Sequence, residues 1–331
     1  MHVFELTKRL IEIESVTGNE KQVALFLRDH LSSLGYGVKL EEAAPERFNI
    51  EAFAGKPLVV LTTHLDTVPP FIPFREDDRF IYGRGACDAK GLIAAQIEAA
   101  ERLRQEGENR IGLLFVVGEE RDSAGALFAN QRPPGSRYFI DGEPTENRLA
   151  VASKGSLRLE ITARGRSAHS AYPEQGDSAI LKLLDVLQDI RHIQLPVDPT
   201  LGSSTCNIGV LEGGMRPNVI ADQARAEIMF RSVEPIDQLK RRLEETVRGR
   251  AEIDYRFEVP VMRLGAVEGF ETTVVSYTSD VPFLDRWGQP FLLGPGSILD
   301  AHTDHERISK KELLKGVELY SRLARHLINE G

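Results

Sequence analysis

Two kinds of hydrophobic spacing alternate along the first 150 or so residues of the chain. Residues 2–14, 20–34 and 90–106 carry apolar side chains three and four positions apart, which predicts amphipathic helices. Short and nearly continuous apolar runs lie between and after them, which predicts buried strands at residues 57–63, 111–117 and 137–141. This alternation predicts an α/β fold with a mostly parallel central sheet.

A different pattern begins after residue 153. Four strand-like stretches and two helical ones follow in the order β-α-β-β-α-β, at residues 155–164, 177–190, 205–212, 218–231, 235–248 and 252–259. This order is that of a ferredoxin-like α+β domain. The first pattern then resumes, with a strand at residues 272–278 and an amphipathic helix at residues 309–329.

The chain length agrees with two domains. At 331 residues the chain is longer than a single hydrophobic core usually serves, and its 41% of apolar residues is enough for a globular protein. We therefore expect one domain formed by residues 1–153 and 262–331, and a second domain, residues 154–261, inserted into it.

Composition excludes several classes of function. The net charge is −9, with 50 acidic and 41 basic residues, which disfavours nucleic acid as a partner. Cys87 and Cys206 are the only cysteines, which fits a reducing compartment. The N-terminal residues are charged and amphipathic, which is typical of neither a signal peptide nor a membrane span. We expect a cytoplasmic protein with no membrane partner.

Polar side chains follow the predicted strands. In open parallel sheets, ligands bind beyond the carboxyl ends of the strands. Candidate metal ligands or their neighbours occur at these ends and in adjoining loops, namely His64, Asp66, Asp88, Glu119, Glu120, Glu143 and His302. Because clustered carboxylates repel one another and buried charge is costly, a metal site would hold them together. Imidazole and carboxylate donors without thiolate suit zinc, and also cobalt or manganese.

The number of candidate ligands favours two metal ions over one. Five donors exceed what a single catalytic zinc with an open position uses, namely His64, Asp88, Glu120, Glu143 and His302. Asp88 could bridge two ions through its two oxygens. Asp66, two residues after His64, is expected to accept the other imidazole N–H and fix the tautomer. Glu119 is placed to act as general base on metal-bound water, which predicts hydrolysis of an amide bond by metal-bound hydroxide.

Seven short segments occur in the order and approximate spacing of one known family. They are HLDTVP, GRGACDAKG, GEE, GEPT, GRSAHS, EGGMRPNVI and AHTDHE. The chain resembles, over residues 2 to about 328, the dizinc metallopeptidase family of acetylornithine deacetylase, succinyl-diaminopimelate desuccinylase, aminoacylase and carboxypeptidase G. The resemblance implies a catalytic domain with two zinc ions and an inserted lid that commonly forms a dimer. It implies the same five ligands, Glu119 as base, Asp66 as orienting carboxylate, and a cis peptide after Asp88.

The resemblance also implies roles for residues of the lid and of one loop. His169 matches the histidine that reaches the partner subunit's active site and hydrogen-bonds the substrate carbonyl oxygen. Arg231 matches the position that binds the substrate α-carboxylate, and Asn218 matches a substrate-contacting asparagine. The glycines of GPGS, Gly294 and Gly296, offer backbone N–H groups for a carboxylate.

Two histidines and two acids compete for ligand positions. His302 competes with His305, and the family pattern of an alanine before the ligand and an acid four residues after it selects His302. Glu143 competes with Asp141, and the GEPT match favours Glu143.

The predicted function is hydrolysis of an N-acyl amino acid. The motif sequences GRGACDAKG and GEPT most resemble those of the acetylornithine deacetylase branch. This resemblance implies a deacetylase of acetylornithine, acetyllysine or acetylcitrulline type in arginine or lysine biosynthesis. The alternative is a dipeptidase, aminopeptidase or carboxypeptidase with the same dinuclear site. A binding protein on the same fold would be expected to lack the base or a ligand, and this chain has all of them.

Overall fold

The structure is a computed structural model that describes residues 1–330. The described chain contains the helices α1 (Val3–Glu12), α2 (Lys21–Ser33), α3 (Lys90–Gln105), α4 (Ala124–Ala129), α5 (Ala179–Arg191), α6 (Ile236–Val247) and α7 (Lys310–Glu330). Short 3₁₀ helices lie at Pro173–Gln175 and Val281–Leu284.

The strands are β1 (Gly37–Ala44), β2 (Arg47–Phe53), β3 (Val59–His64), β4 (Arg75–Glu76), β5 (Phe80–Tyr82), β6 (Ile111–Val116), β7 (Tyr138–Asp141), β8 (Leu149–Ser153), β9 (Gly155–Arg164), β10 (Val197–Asp198), β11 (Gly202–Ser203), β12 (Thr205–Gly213), β13 (Gln223–Ser232), β14 (Glu252–Val259), β15 (Met262–Arg263), β16 (Thr272–Val275), β17 (Gln289–Leu292) and β18 (Arg307–Ser309).

The described chain folds as two compact units. Unit 1 contains Met1–Val151, Leu264–Thr273 and the residues from Ser279 onward. Unit 2 contains Ala152–Arg263 together with Val274–Thr278, a segment that the hydrophobic pattern had placed in the first domain. The catalytic role of unit 1 and the lid role of unit 2 remain predictions.

A mixed sheet forms the centre of unit 1, with strand order β1-β2-β6-β3-β7-β17-β8. Its four middle strands, β6, β3, β7 and β17, are parallel, and the strands on both sides of them are antiparallel. Every residue of β3, β6 and β7 is buried, which explains why these strands begin with apolar runs and carry polar residues only toward their carboxyl ends. A separate three-stranded sheet has the order β18-β5-β4.

Helices cover this sheet and complete the core of unit 1. Helix α3 packs against α1, α7 and the strands β3 and β6, and its first turn follows Asp88 directly. The buried apolar side chains of these elements form one cluster, which includes Leu6, Leu113 and Leu323. The ends of the parallel strands are therefore held on a rigid base.

Unit 2 has a four-stranded antiparallel sheet with the order β12-β13-β9-β14. Helices α5 and α6 bury one face of it over a core that includes Leu159, Leu183, Phe230 and Leu243. Taken in chain order, the elements follow the ferredoxin-like β-α-β-β-α-β arrangement. The predicted α/β fold with an inserted ferredoxin-like unit is confirmed, with parallel pairing limited to the middle of the large sheet.

None of the helices formed by residues 1–330 combines the length and the apolar composition that a membrane crossing requires.

Candidate metal centre

The segments that follow the parallel strands of unit 1 bring the predicted ligands together. His64 is the last residue of β3, while Glu119 and Glu120 follow β6 and Glu143 follows β7. His302 lies in the segment between β17 and β18, and Asp88 lies just before α3. The candidate site thus forms at the carboxyl edge of the sheet, where open α/β sheets bind their ligands.

Asp88 is shared by two groups of three possible metal ligands. One group contains His64, Asp88 and Glu143, the other contains Asp88, Glu120 and His302, and the donor atoms within each group lie within 4.8 Å of one another. Asp88 Oδ1 lies 3.0 Å from His64 Nε2, and Asp88 Oδ2 lies 3.2 Å from His302 Nε2. His302 Nε2 also lies 3.0 Å from Glu120 Oε1. The peptide bond between Asp88 and Ala89 is cis.

Proton binding by the imidazoles is strongly favoured in this arrangement. Burial opposes a charge on His64, but the adjacent Asp66 and Asp88 carboxylates outweigh it and raise the pKa of the imidazole well above its usual range. Hydrogen bonds to Asp88 and Glu120 raise the pKa of His302 to about 10. Burial would raise the pKa of Asp88, but its contacts with His302 and His64 hold it well below its usual range.

The carboxylates around these imidazoles are crowded and poorly compensated. Burial raises the pKa of Glu143 well above its usual range, and the charges of Glu119 and Asp88 add to this. Burial likewise raises the pKa of Asp280 to about 7, although Ser123 acts against this shift. Burial also raises the pKa of Asp141 to about 6.

This donor set fits divalent cations. Protonated imidazoles compensate only part of the acidic charge, whereas two divalent ions on the same nitrogen and oxygen atoms would compensate more of it. The donors are imidazole and carboxylate groups, a combination that zinc accepts readily.

Glu119 lies beside the ligands without the contacts of a ligand. The Oε1 of its neighbour Glu120 lies 3.0 Å from His302 Nε2, whereas Glu119 belongs to neither group of possible ligands. Burial raises the pKa of Glu119 well above its usual range, and the charges of Asp280, Glu120 and Asp88 act in the same direction against that of His64. A perturbed carboxyl group in this position is suited to proton transfer.

Asp66 orients the loop after β6 in addition to its position near His64. Its Oδ1 accepts hydrogen bonds from the amides of Gly118 and Glu119 at 2.9 and 3.1 Å. Its Oδ2 accepts from Glu120 N at 3.3 Å and from Thr17 Oγ1 at 2.8 Å.

The contact between Asp66 and His64 differs from the predicted one. The nearest acceptor to His64 Nδ1 is the Asp66 backbone carbonyl, at 2.9 Å, whereas the Asp66 carboxylate lies 3.7 Å away. The Asp66 carbonyl is therefore the group within hydrogen-bond distance of His64 Nδ1, while the Asp66 carboxylate is engaged by the loop amides.

A buried ion pair lies under the same loop. Arg47 donates to both oxygens of Glu20, and the two side chains are 7% and 0% exposed. Gly118 passes above it with a φ of 87°, and a Cβ there would lie 2.8 Å from Arg47 Nη2. Only glycine fits this turn, which brings Glu119 and Glu120 toward the site.

The structure also separates the competing candidates. His305 is exposed and its Nδ1 lies 2.7 Å from its neighbour Asp304, so it takes no part in either ligand group. Asp141 is buried two residues before Glu143 but belongs to neither group.

Gly294 and Gly296 lie in a loop that is fastened to the Glu143 segment. The Gly294 amide donates to Thr145 Oγ1 at 3.0 Å, and Glu146 N donates to the Gly296 carbonyl at 2.8 Å. The Gly294 N–H is thus already engaged. Substrate contact by these two glycines remains a prediction.

His169, Asn218 and Arg231 belong to unit 2. The first two lie side by side, because His169 pairs with Val219 and Ser170 N donates to the Asn218 carbonyl at 3.0 Å. Arg231 lies on β13, half-buried, and pairs with no acidic side chain within residues 1–330. Their roles in substrate binding remain predictions.

Comparison with known proteins identifies the family. The sequence model of the family described as "Peptidase family M20/M25/M40" matches residues 60–326 of this chain. A Peptidase M20 domain-containing protein of Schizosaccharomyces pombe is 39% identical over 335 residues, which is 97% of this chain and 84% of that protein. A probable carboxypeptidase of Uncinocarpus reesii is 34% identical over 390 residues, which is 99% of this chain and 87% of that protein.

A solved structure shares the fold. A tripeptidase from Staphylococcus aureus has a TM-score of 0.83 and 24% sequence identity, with 98% of each chain covered. The two curated relatives and the matched family description lead to one conclusion. The chain belongs to peptidase family M20/M25/M40, a family of metal-dependent hydrolases.

Proposed function

We propose that this chain is a dinuclear hydrolase that cleaves an amide bond whose leaving group is an amino acid with a free α-carboxylate. The observation that carries the proposal is the Asp88 carboxylate, which faces His64 with one oxygen and His302 with the other. With Glu143 on the first side and Glu120 on the second, each side has three donors. We propose zinc for both sites, with cobalt or manganese as ions that the same donors would accept.

Glu119 would transfer the proton during the reaction. Two divalent cations, when bound, would lower the pKa of a water to about 7 and polarise the substrate carbonyl. Glu119 would accept the proton of this water and donate it to the departing amine. Asp66 supports this role because it holds the Glu119 amide at 3.1 Å. Neutralisation of the nearby acids by cations would favour the ionised form of Glu119 that a base requires.

Three residues of unit 2 would bind the substrate. Arg231 would hold the α-carboxylate, and the absence of an acidic partner within residues 1–330 leaves its guanidinium available for a bidentate contact. Burial lowers the pKa of Arg231, as expected for a cation that awaits a counter-ion. His169, supplied by a partner subunit, would hydrogen-bond the carbonyl oxygen as negative charge develops, and Asn218 would contact the substrate.

Two substrate classes share the free carboxylate. The motif sequences favour an N-acyl amino acid as the substrate, as in the acetylornithine deacetylase branch. The name of the Uncinocarpus reesii relative, a probable carboxypeptidase, favours a substrate with a C-terminal peptide bond. In both classes the released product is a free amino acid. We propose an N-acyl amino acid first and a carboxypeptidase substrate second.

A substrate panel tests the proposal. The panel contains N-acetyl, N-succinyl and N-formyl amino acids, N-blocked dipeptides with a free carboxylate, and dipeptide amides with a free amino group, each assayed with added zinc or cobalt. We expect cleavage only where the α-carboxylate is free, and we expect Arg231→Met to raise KM for those substrates. Cleavage of the dipeptide amides alone would contradict the proposal and would indicate an aminopeptidase.

We further propose that the protein is a homodimer joined through unit 2. Exposed apolar side chains of unit 2 support this, namely Leu181, Leu184, Leu211 and Met215. Light scattering after size-exclusion chromatography tests it, and a monomeric mass at micromolar concentration would contradict it.

A further inference from the structure

Glu306 connects the segment after His302 to the backbone that carries Asp88. Glu306 is 1% exposed, and its Oε1 accepts hydrogen bonds from Cys87 N and Asp88 N, each at 3.2 Å. Its Oε2 accepts from Arg84 Nη1 at 2.7 Å. One buried carboxylate therefore satisfies two backbone amides and one guanidinium.

Arg84 is the ion-pair partner of this carboxylate. Arg84 is 2% exposed, and its Nε donates to the Pro70 carbonyl at 3.2 Å. The Glu306 backbone carbonyl also accepts from Gly83 N at 3.1 Å. A buried ion pair of this kind is costly to desolvate and contributes little net stability, which suggests that it has another use.

The role of this ion pair follows from the position of the two amides, because one of them belongs to Asp88 itself and the other to its neighbour Cys87. Asp88 must present one oxygen to His64 and the other to His302, and these contacts, at 3.0 and 3.2 Å, tolerate little movement of the Asp88 backbone. The Glu306 carboxylate holds that backbone and touches neither imidazole.

We propose that Glu306, paired with Arg84, is a positioning residue that orients the Asp88 carboxylate between the two imidazoles. The role of Asp88 as a shared ligand rests on the proposed function. The hydrogen bonding of the Asp88 backbone by Glu306 does not rest on the proposed function, and the experiment tests the ligand role and the backbone role separately.

Glu306→Gln is the most specific test, because it changes the hydrogen-bonding pattern of the side chain and leaves its size unchanged. Glutamine keeps the shape, but in either orientation its NH₂ group faces a donor, either Arg84 or the two backbone amides. Glu306→Asp is the second variant, because it keeps the charge and shortens the reach by one methylene. Leu323→Ala, in the apolar core of unit 1, is the matched control that lowers stability without touching the ion pair.

Two measurements on the purified full chain test the proposal. Calorimetric titration of the metal-free proteins with Zn²⁺ is expected to show 10- to 100-fold weaker binding for the Glu306 variants and unchanged binding for Leu323→Ala, in line with the usual effect of removing a group that orients a ligand. Amide exchange in the metal-free proteins is expected to be at least about tenfold faster at Cys87 and Asp88 in Glu306→Gln than in wild type.

The outcomes distinguish this inference from the proposed function. Zinc affinity of Glu306→Gln equal to that of wild type would overturn the inference, and so would an equal loss in Leu323→Ala. If the wild-type chain bound no zinc, the proposed function would fail. Faster amide exchange confined to Cys87 and Asp88 in Glu306→Gln would still support the inference that Glu306 holds this backbone. Unchanged exchange at these two residues would overturn that inference.

Discussion

Glu119→Gln separates the two roles open to the neighbouring acids Glu119 and Glu120. Glutamine keeps the size of the side chain and removes the proton acceptor. Loss of a positioned general base lowers kcat by about 10²- to 10⁴-fold, or roughly 3–6 kcal/mol at about 1.4 kcal/mol per tenfold change. Because burial and nearby acids raise the pKa of Glu119, a neutral amide should also be tolerated without loss of stability.

The matched control is Glu120→Gln, one residue along the same loop. Glu120 Oε1 lies 3.0 Å from His302 Nε2, so this variant should lose metal as well as activity. The assays are steady-state kinetics on the best substrate of the panel and metal content per chain by atomic emission. Activity of Glu119→Gln within tenfold of wild type would refute its role as base, and loss of metal to the extent seen in Glu120→Gln would make Glu119 a ligand.

Three further predictions concern stability, pH and metal removal. Arg47→Met leaves Glu20 buried and unpaired and should lower the free energy of unfolding by about 3–5 kcal/mol in urea titrations. Adding Glu20→Leu should recover part of that loss, and a double variant no more stable than the single one would contradict this. Burial and the charge of Glu41 raise the pKa of Glu51 from 4.5 to about 7, with Lys39 and Arg132 acting against the shift. The stability that this shift provides is present below about pH 4.5 and is lost as the pH rises through about 7, so Glu51→Gln should raise Tm relative to wild type near pH 9 more than near pH 5. A Tm difference that does not change with pH would count against it. Chelation should abolish hydrolysis and added zinc or cobalt should restore it, so activity that survives exhaustive chelation would argue against a metal centre.

The fold was predictable where burial leaves a simple pattern. Strands β3, β6 and β7 are buried along their whole length and begin with apolar runs, so hydrophobicity is enough to predict them. Strand β2 is also mostly buried but contains Arg47, Asn49 and Glu51, and the hydrophobic pattern does not reveal it. These polar side chains are buried because of partners far along the chain, such as the Gly125 carbonyl that accepts from Asn49 at 2.8 Å. A local pattern cannot show such partners.

The candidate site was predictable as a set of residues and less so as a geometry. Strand ends in a parallel sheet meet at one edge, so the convergence of His64, Glu120 and Glu143 follows from the positions of the strands. The contact of Asp66 with His64 does not follow in the same way. Strand β3 ends at His64 and the chain then turns, so alternation no longer decides where Asp66 points, and its carboxylate binds the amides of the next loop.

Asp66 and Glu306 both orient backbone that carries predicted ligands without occupying the side chains of those ligands. Each is a buried carboxylate that accepts backbone N–H groups of a loop carrying a predicted ligand, Glu120 in one case and Asp88 in the other. Backbone hydrogen bonds orient a loop without using the oxygens of its ligand. The imidazole and carboxylate donors thus remain available to one another at about 3 Å, which is the spacing a shared cation requires. Conservative substitutions at Asp66 and Glu306 should therefore alter metal affinity although neither side chain is a ligand.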